Sequence, residues 1–431
     1  MAWMRWLALA VFARSLGDDL EDVAANIDNM SNITDVGLED APLPPIGSLS
    51  PEVWHVLTPP ASSGAVCLDG SPFSFVVVPR PNATRVVFEL LGGYACWNDV
   101  TCGLVFDSAD KAIDPLMLAL DGQSAAFVED KVGLDLLYDE PGLADATYVL
   151  LPYCTMDIHL GSATANYTVD QMGRSAEHRG WANVQSAVQW VKANYDNDDT
   201  EIVAGAMAGP LVAASLADAF DRVTILADSF VGVASEKFVR DHLYGTWGAA
   251  CAFGDALPGL NLSNSTMQTA EVTIEFWRHI LRSHPNLTVG VYTALHDETQ
   301  MTYLLFMRGV LNSTGEQADK DRFARLAVSM LDELRDEFPD QFTSFVVEGE
   351  AHCNAALDVA LTHDGFRDWA AQLVAGIVPE PVACPECKLD VIDGCDGVEG
   401  SLKVEEHCMT CDAECPEPEA ATFTSCANVT A

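Results

Sequence analysis

Apolar residues along this chain fall into short unbroken runs, separated by longer stretches in which they recur every three or four positions. The runs at 73–78, 85–91, 148–153, 201–204, 223–227, 288–294 and 345–347 are rich in Val, Ile, Leu and Phe. Strands of that composition suit a parallel sheet buried on both faces. Among the stretches between them, 181–195 sets Val184, Val188, Val191 and Tyr195 on one face of a helix, and 321–338 alternates apolar with charged residues at helical spacing. Strands alternating with helices predict a doubly wound α/β architecture with a mostly parallel sheet. The pattern lapses at both ends. Residues 18–50, with Asp18-Asp19-Leu20-Glu21-Asp22 and Pro42-Leu43-Pro44-Pro45, predict an extended acidic leader. From residue 379 onward Pro379, Pro381, Pro385, Pro416 and Pro418 break any periodicity, so 379–431 reads as a separate small tail and 51–378 as the main domain.

Composition narrows the class of partner and the compartment. The 431 residues carry 64 acids against 22 bases, a net charge of −42. Phosphate binding needs clustered Lys and Arg, so this balance excludes nucleic acid and anionic membrane as partners. The start reads as a secretory signal over 1–17, with Arg5 as the positive region and the apolar run 6–13 after it. No later stretch reaches the roughly 18 uninterrupted apolar residues of a membrane span. Nine Asn-x-Ser/Thr sequons, at Asn29, Asn32, Asn82, Asn166, Asn261, Asn264, Asn286, Asn312 and Asn428, predict a glycosylated, secreted protein. Thirteen cysteines agree with an oxidising compartment. Six fall in the main domain (Cys67, Cys96, Cys102, Cys154, Cys251, Cys353) and seven in the tail (Cys384, Cys387, Cys395, Cys408, Cys411, Cys415, Cys426). The tail's two Cys-x-x-Cys units admit either disulfides or a tetrahedral zinc site, and the oxidising context favours disulfides.

The chemistry centres on residues 205–209. Gly205-Ala206-Met207-Ala208-Gly209 follows an apolar β-branched run and precedes Leu211-Val212-Ala213-Ala214, which opens a helix. A strand, a glycine-bracketed turn and a helix form the Gly-x-Ser-x-Gly nucleophile elbow of α/β-hydrolases, here with methionine where the serine belongs. A thioether has no proton to surrender and forms no stable acyl ester. Other patches keep the same company: Glu89-Leu90-Leu91-Gly92-Gly93-Tyr94-Ala95-Cys96-Trp97, the run Tyr153-Cys154-Thr155-Met156-Asp157-Ile158-His159-Leu160-Gly161, Gly180-Trp181-Ala182-Asn183-Val184, Asp228-Ser229, Asp297 with Gln300, and His352-Cys353. In these motifs and in their order, roughly residues 50–378 resemble the pectin acetylesterase and Notum family of secreted carboxylesterases.

The resemblance implies an α/β-hydrolase-like fold and a serine-esterase site that uses neither cofactor nor metal. In such a site an aspartate orients a histidine that takes the nucleophile's proton, and backbone N–H groups hold the oxyanion. Carried onto this chain, the acid is Asp297, the base His352, the nucleophile position Met207, and the oxyanion donors the amides of Tyr94, Ala95 and Ala208. Read alone, Asp297 is a helix N-cap and His352 an ordinary loop histidine; as a pair following the elbow they read as triad remnants. Tyr94 replaces a family glycine and Ala95 a family tryptophan; a positive φ at that glycine would strain tyrosine, and the lost tryptophan would open the acyl pocket. Asp157 and His159 read either as cleft lining or as a structural pair, and Ser229 as a weak substitute nucleophile. The expectation is a secreted pseudoenzyme that binds an acylated carbohydrate or acyl ligand. The alternatives are an active ester hydrolase with a substitute nucleophile, and a structural extracellular-matrix protein cross-linked through its tail.

Overall fold

Among the described residues eight strands make the central sheet, and their order along it explains why so many read as unbroken apolar runs. The computed structural model describes residues 41–80, 82–109, 143, 145–169, 171–196, 198–206, 209–257, 259–260, 272–309, 317–350, 352 and 365–382. The sheet holds β1 (His55–Leu57), β2 (Phe75–Val78), β3 (Arg85–Leu90), β4 (Thr147–Leu151), β7 (Glu201–Ala206), β8 (Arg222–Asp228), β9 (Leu287–Ala294) and β10 (Phe342–Val347). A separate hairpin is formed by β5 (Ala163–Val169) and β6 (Met172–His178). Across the sheet the order is β1-β2-β4-β3-β7-β8-β9-β10. From β4 to β10 every pairing is parallel, whereas β1 and β2 run antiparallel at one side. The chain is therefore α/β with a mostly parallel, α/β-hydrolase-like sheet. Parallel strands must be joined by crossovers, and the crossover helices cover both faces.

One face is covered by α2 (Gly180–Asn194), α3 (Pro210–Ala217), α5 (Val272–Ser283) and α7 (Gln317–Glu337), which share the largest apolar cluster with Val86, Phe88, Ile202, Ile225 and Val289. The other is covered by α8 (Phe366–Val374), whose Phe366 and Trp369 meet Tyr292 and Phe345. Each such buried ring contributes roughly 2–3 kcal/mol of apolar burial. Every residue of β2, β4, β9 and β10 is buried, which is the runs' physical cause. Three further helices are α1 (Asp99–Ala109), beside the hairpin, and α4 (Ala249–Ala256) and α6 (Glu298–Met307), which supply residues to the site.

The main body extends past both of its expected limits. Leu43, Ile46 and Leu49 pack against the large cluster, Trp190 Nε1 donates to Pro44 O at 2.8 Å, and Ile46 N donates to Asn194 Oδ1 at 2.7 Å. The last residues assigned to the leader thus lie on α2. At the other end Val382 adds itself to β10, with Val382 N donating to Ser344 O at 2.9 Å and Val346 N to Val382 O at 2.8 Å. The signal segment, most of the leader and the cysteine-rich tail lie outside the described residues. Cys67–Cys154 and Cys96–Cys102 are disulfides, and Cys251 is also disulfide-bonded. Asn82, Asn166 and Asn286, the described sequon asparagines, are all exposed. Among the described residues no helix is long and apolar enough to cross a membrane.

Candidate functional site

The carboxyl ends of the parallel strands converge on one pocket, and the elbow sits at its edge. Strand β7 ends at Ala206 and α3 starts at Pro210, with Gly209 extended between them. Proline at the first helical position leaves no orphan N–H there, and its fixed φ suits the sharp entry. Met207 and Ala208, the elbow's tip, lie outside the described residues.

Asp297 and His352 meet, 55 residues apart in sequence. His352 Nδ1 donates to Asp297 Oδ2 at 2.8 Å and lies 3.1 Å from Oδ1. The two readings of Asp297 turn out to be compatible. Its carboxylate is fully buried and caps α6 by accepting Gln300 N at 2.9 Å, while Gln300 Nε2 donates to Oδ2 at 2.9 Å. Gln300 in turn accepts Val231 N at 3.0 Å, tying α6 to the segment after β8. A carboxylate held by three donors fixes the imidazole tautomer, so any action of His352 on a ligand goes through Nε2.

The loop after β3 differs from the expected oxyanion geometry. Tyr94 has no positive φ, and neither do Gly92 and Gly93, so the anticipated strain at Tyr94 does not arise. Its side chain is 40% exposed, turned away from the core. Gly93 is required for a different reason: a Cβ there would sit 2.7 Å from the Tyr153 ring. Ala95 N, one of the expected oxyanion donors, points instead at the phenol of Tyr303, donating at 3.0 Å. Trp97, two residues on, is buried edge-to-face against Phe238 and Trp247, so an indole does back this region although Ala95 itself carries none.

The pocket opens to solvent at its mouth. Its walls are chiefly apolar, with Leu160, Phe230, Val233, Phe238, Trp247 and Phe276 prominent. Among the described residues the polar groups at its surface are few, namely Asp228, Ser229, Thr273, Thr299, Gln300, Tyr303 and His352, and none is Lys or Arg. Burial keeps the Tyr303 phenol protonated, pushing it up to about 12. Glu89 is pushed up to about 7 by burial and by the charge of Asp228.

Asp157 and His159 belong to the structure of the wall, not to its surface. Asp157 accepts Thr155 Oγ1 at 2.6 Å, His159 N at 3.1 Å and Gly180 N at 2.9 Å, and a Cβ at Gly161 or Gly180 would collide with its carboxylate. His159 Nε2 reaches Leu91 O at 3.0 Å, and burial lowers its affinity for a proton. Only their neighbours Ile158 and Leu160 line the pocket. Ser229 does line it, with φ +54°, and its hydroxyl donates to Asp228 Oδ1 at 3.0 Å. A serine held at positive φ is uncommon and stores strain.

Tyr303 is the functional candidate absent from the motif reading. Its signal is helical spacing: Thr299, Gln300, Tyr303 and Met307 form one face of α6, and all four line the pocket.

No protein-family model matches the chain, and no curated protein matches it. Two solved structures similar to it are crystal forms of the Wnt deacylase Notum from Drosophila. One has 16% identity and a TM-score of 0.45, covering 74% of this chain and 93% of that one. The other has 15% identity and a TM-score of 0.44, covering 76% and 95%. The fold assignment itself rests on the strand order and directions described above.

Proposed function

We propose that this chain is a secreted, N-glycosylated member of the pectin acetylesterase and Notum family that has lost ester hydrolysis and retains an acyl-binding pocket. The observation that carries the reading is the large apolar pocket bordered by an intact Asp297–His352 pair, beside an elbow whose nucleophile position holds Met207. Loss of a triad serine typically costs about a millionfold in turnover, leaving only the residual acceleration from binding and oxyanion contacts. The apolar walls favour the acyl part of a ligand over a bare sugar. Disulfides and exposed sequon asparagines support an extracellular setting.

The test is hydrolysis of a p-nitrophenyl ester series by wild-type and His352→Ala proteins. Equal, background-level rates are expected. Robust wild-type turnover that His352→Ala abolishes overturns the reading. A second reading, an active hydrolase with Ser229 as substitute nucleophile, draws on the strained backbone and pocket position of that serine. It requires turnover that Ser229→Ala removes.

A further inference from the structure

We propose that Tyr303 is the hydrogen-bond donor that fixes an acyl carbonyl in this pocket, selecting uncharged acyl esters or amides over free acids. The inference rests on the acyl-binding reading and adds a ligand class and a specificity-determining residue to it.

A phenol can accept and donate at once. At Tyr303 the oxygen accepts Ala95 N at 3.0 Å, and among the described residues that is its one hydrogen bond. Its own proton is therefore available to a group entering the pocket, which the ring lines. Accepting from a backbone amide polarises the O–H and strengthens the bond it gives. Burial holds the phenol protonated up to about pH 12, so the donor persists at any physiological pH. The amide expected to face an oxyanion is thus occupied, and the donor presented to a ligand has moved from the loop after β3 to α6.

Charge decides between an ester and an acid. A carboxylate entering the pocket would find Asp228 on its wall, Glu89 close behind and, among the described residues, no lysine or arginine. The cationic candidate among the described lining residues, His352, already faces the Asp297 carboxylate. An uncharged carbonyl takes the Tyr303 hydrogen bond without adding a further negative charge to that group. Its hydrocarbon chain then lies against Phe230, Phe238 and Phe276.

The experiment measures binding to the full chain, by tryptophan fluorescence and calorimetry, of methyl decanoate, sodium decanoate and decane, which has no acceptor. Wild type should bind the ester more tightly than the carboxylate. Tyr303→Phe should weaken ester binding about tenfold, the worth of one well-made buried hydrogen bond, while leaving decane affinity within about twofold, which also shows the pocket intact. Should that variant misfold, the carbonyl stretch of ¹³C-labelled ester bound to wild type, expected below its frequency in alkane, carries the test. An ester-to-decane ratio unchanged by Tyr303→Phe, a preference for decanoate, or an unshifted carbonyl overturns this inference while leaving acyl binding intact. Failure of wild type to bind any of the three overturns both.

Discussion

Replacing Glu89 by glutamine should stabilise the protein above neutral pH and leave it nearly unchanged at pH 4. Glu89 lies on β3 opposite Gly205 of β7, and Gly205 lies opposite Leu226 of β8. Paired residues of parallel strands share a face, and Asp228 is two residues beyond Leu226, so both carboxyls lie on one side of the sheet with no side chain at Gly205 between them. Burial and the charge of Asp228 raise Glu89 from 4.5 to about 7. Below pH 4.5 the folded and unfolded chains both hold the proton, and the residue costs nothing. As pH rises through about 7 the unfolded chain has released the proton that the folded one retained, so stability falls and the loss is complete above pH 7. At 1.36 kcal/mol per pH unit the penalty is about 3 kcal/mol, a ceiling because Glu89 is only half-buried by area. Denaturant unfolding of both proteins from pH 4 to 8.5 gives a difference curve in which the titrating groups not coupled to Glu89 cancel. It should rise in favour of Glu89→Gln between pH 4.5 and 7 and then level off. A flat curve, or one of opposite sign, refutes the argument.

Gly290→Ala should lower stability by about 1–3 kcal/mol, seen as a reduced Tm, because the new Cβ collides with Leu373 and would stand 2.7 Å from the Trp369 ring; an unchanged Tm would mean that α8 moves freely. Removing the Cys67–Cys154 disulfide, which spans 87 residues, should cost about 4–5 kcal/mol in the chain-entropy account. Guanidinium unfolding of the Cys67→Ser/Cys154→Ser protein checks it, and a loss under 1 kcal/mol counts against a native bridge.

The buried strands were legible because helices on both faces leave no polar positions to blur them; β9 needed only one residue added, and β3 one removed. Elements with one wet side were missed. In the hairpin, Asn166 and Glu177 alternate with buried Tyr167 and His178, and β1 is three residues opening on a histidine. Strand β10 was only half-read because Thr343 and Ser344 interrupt its apolar run, although both are buried. At the site, the pairing of Asp297 with His352 followed from motif order. The bond from Ala95 to Tyr303 did not, since it joins residues 208 apart and the family motif assigns that amide to the oxyanion. Whether a residue lines a cavity or backs it, as Asp157 does, depends on contacts made across strands and loops.

Val382 has a meaning beyond where the body ends. Strand β10 is an outer strand of the sheet, and its outward backbone groups at Ser344 and Val346 are satisfied by Val382. At the opposite margin β1 is too short to offer much of a template. Outer strands with unpaired backbone invite pairing with other molecules. A chain trimmed at residue 378, the limit drawn from the end of periodicity, would therefore strip the cover from β10 and bare a strand whose six residues are all apolar or uncharged. Such a protein would keep its pocket and its Asp297–His352 pair and still tend to self-associate, so that the last few residues before the tail act as a guard against aggregation.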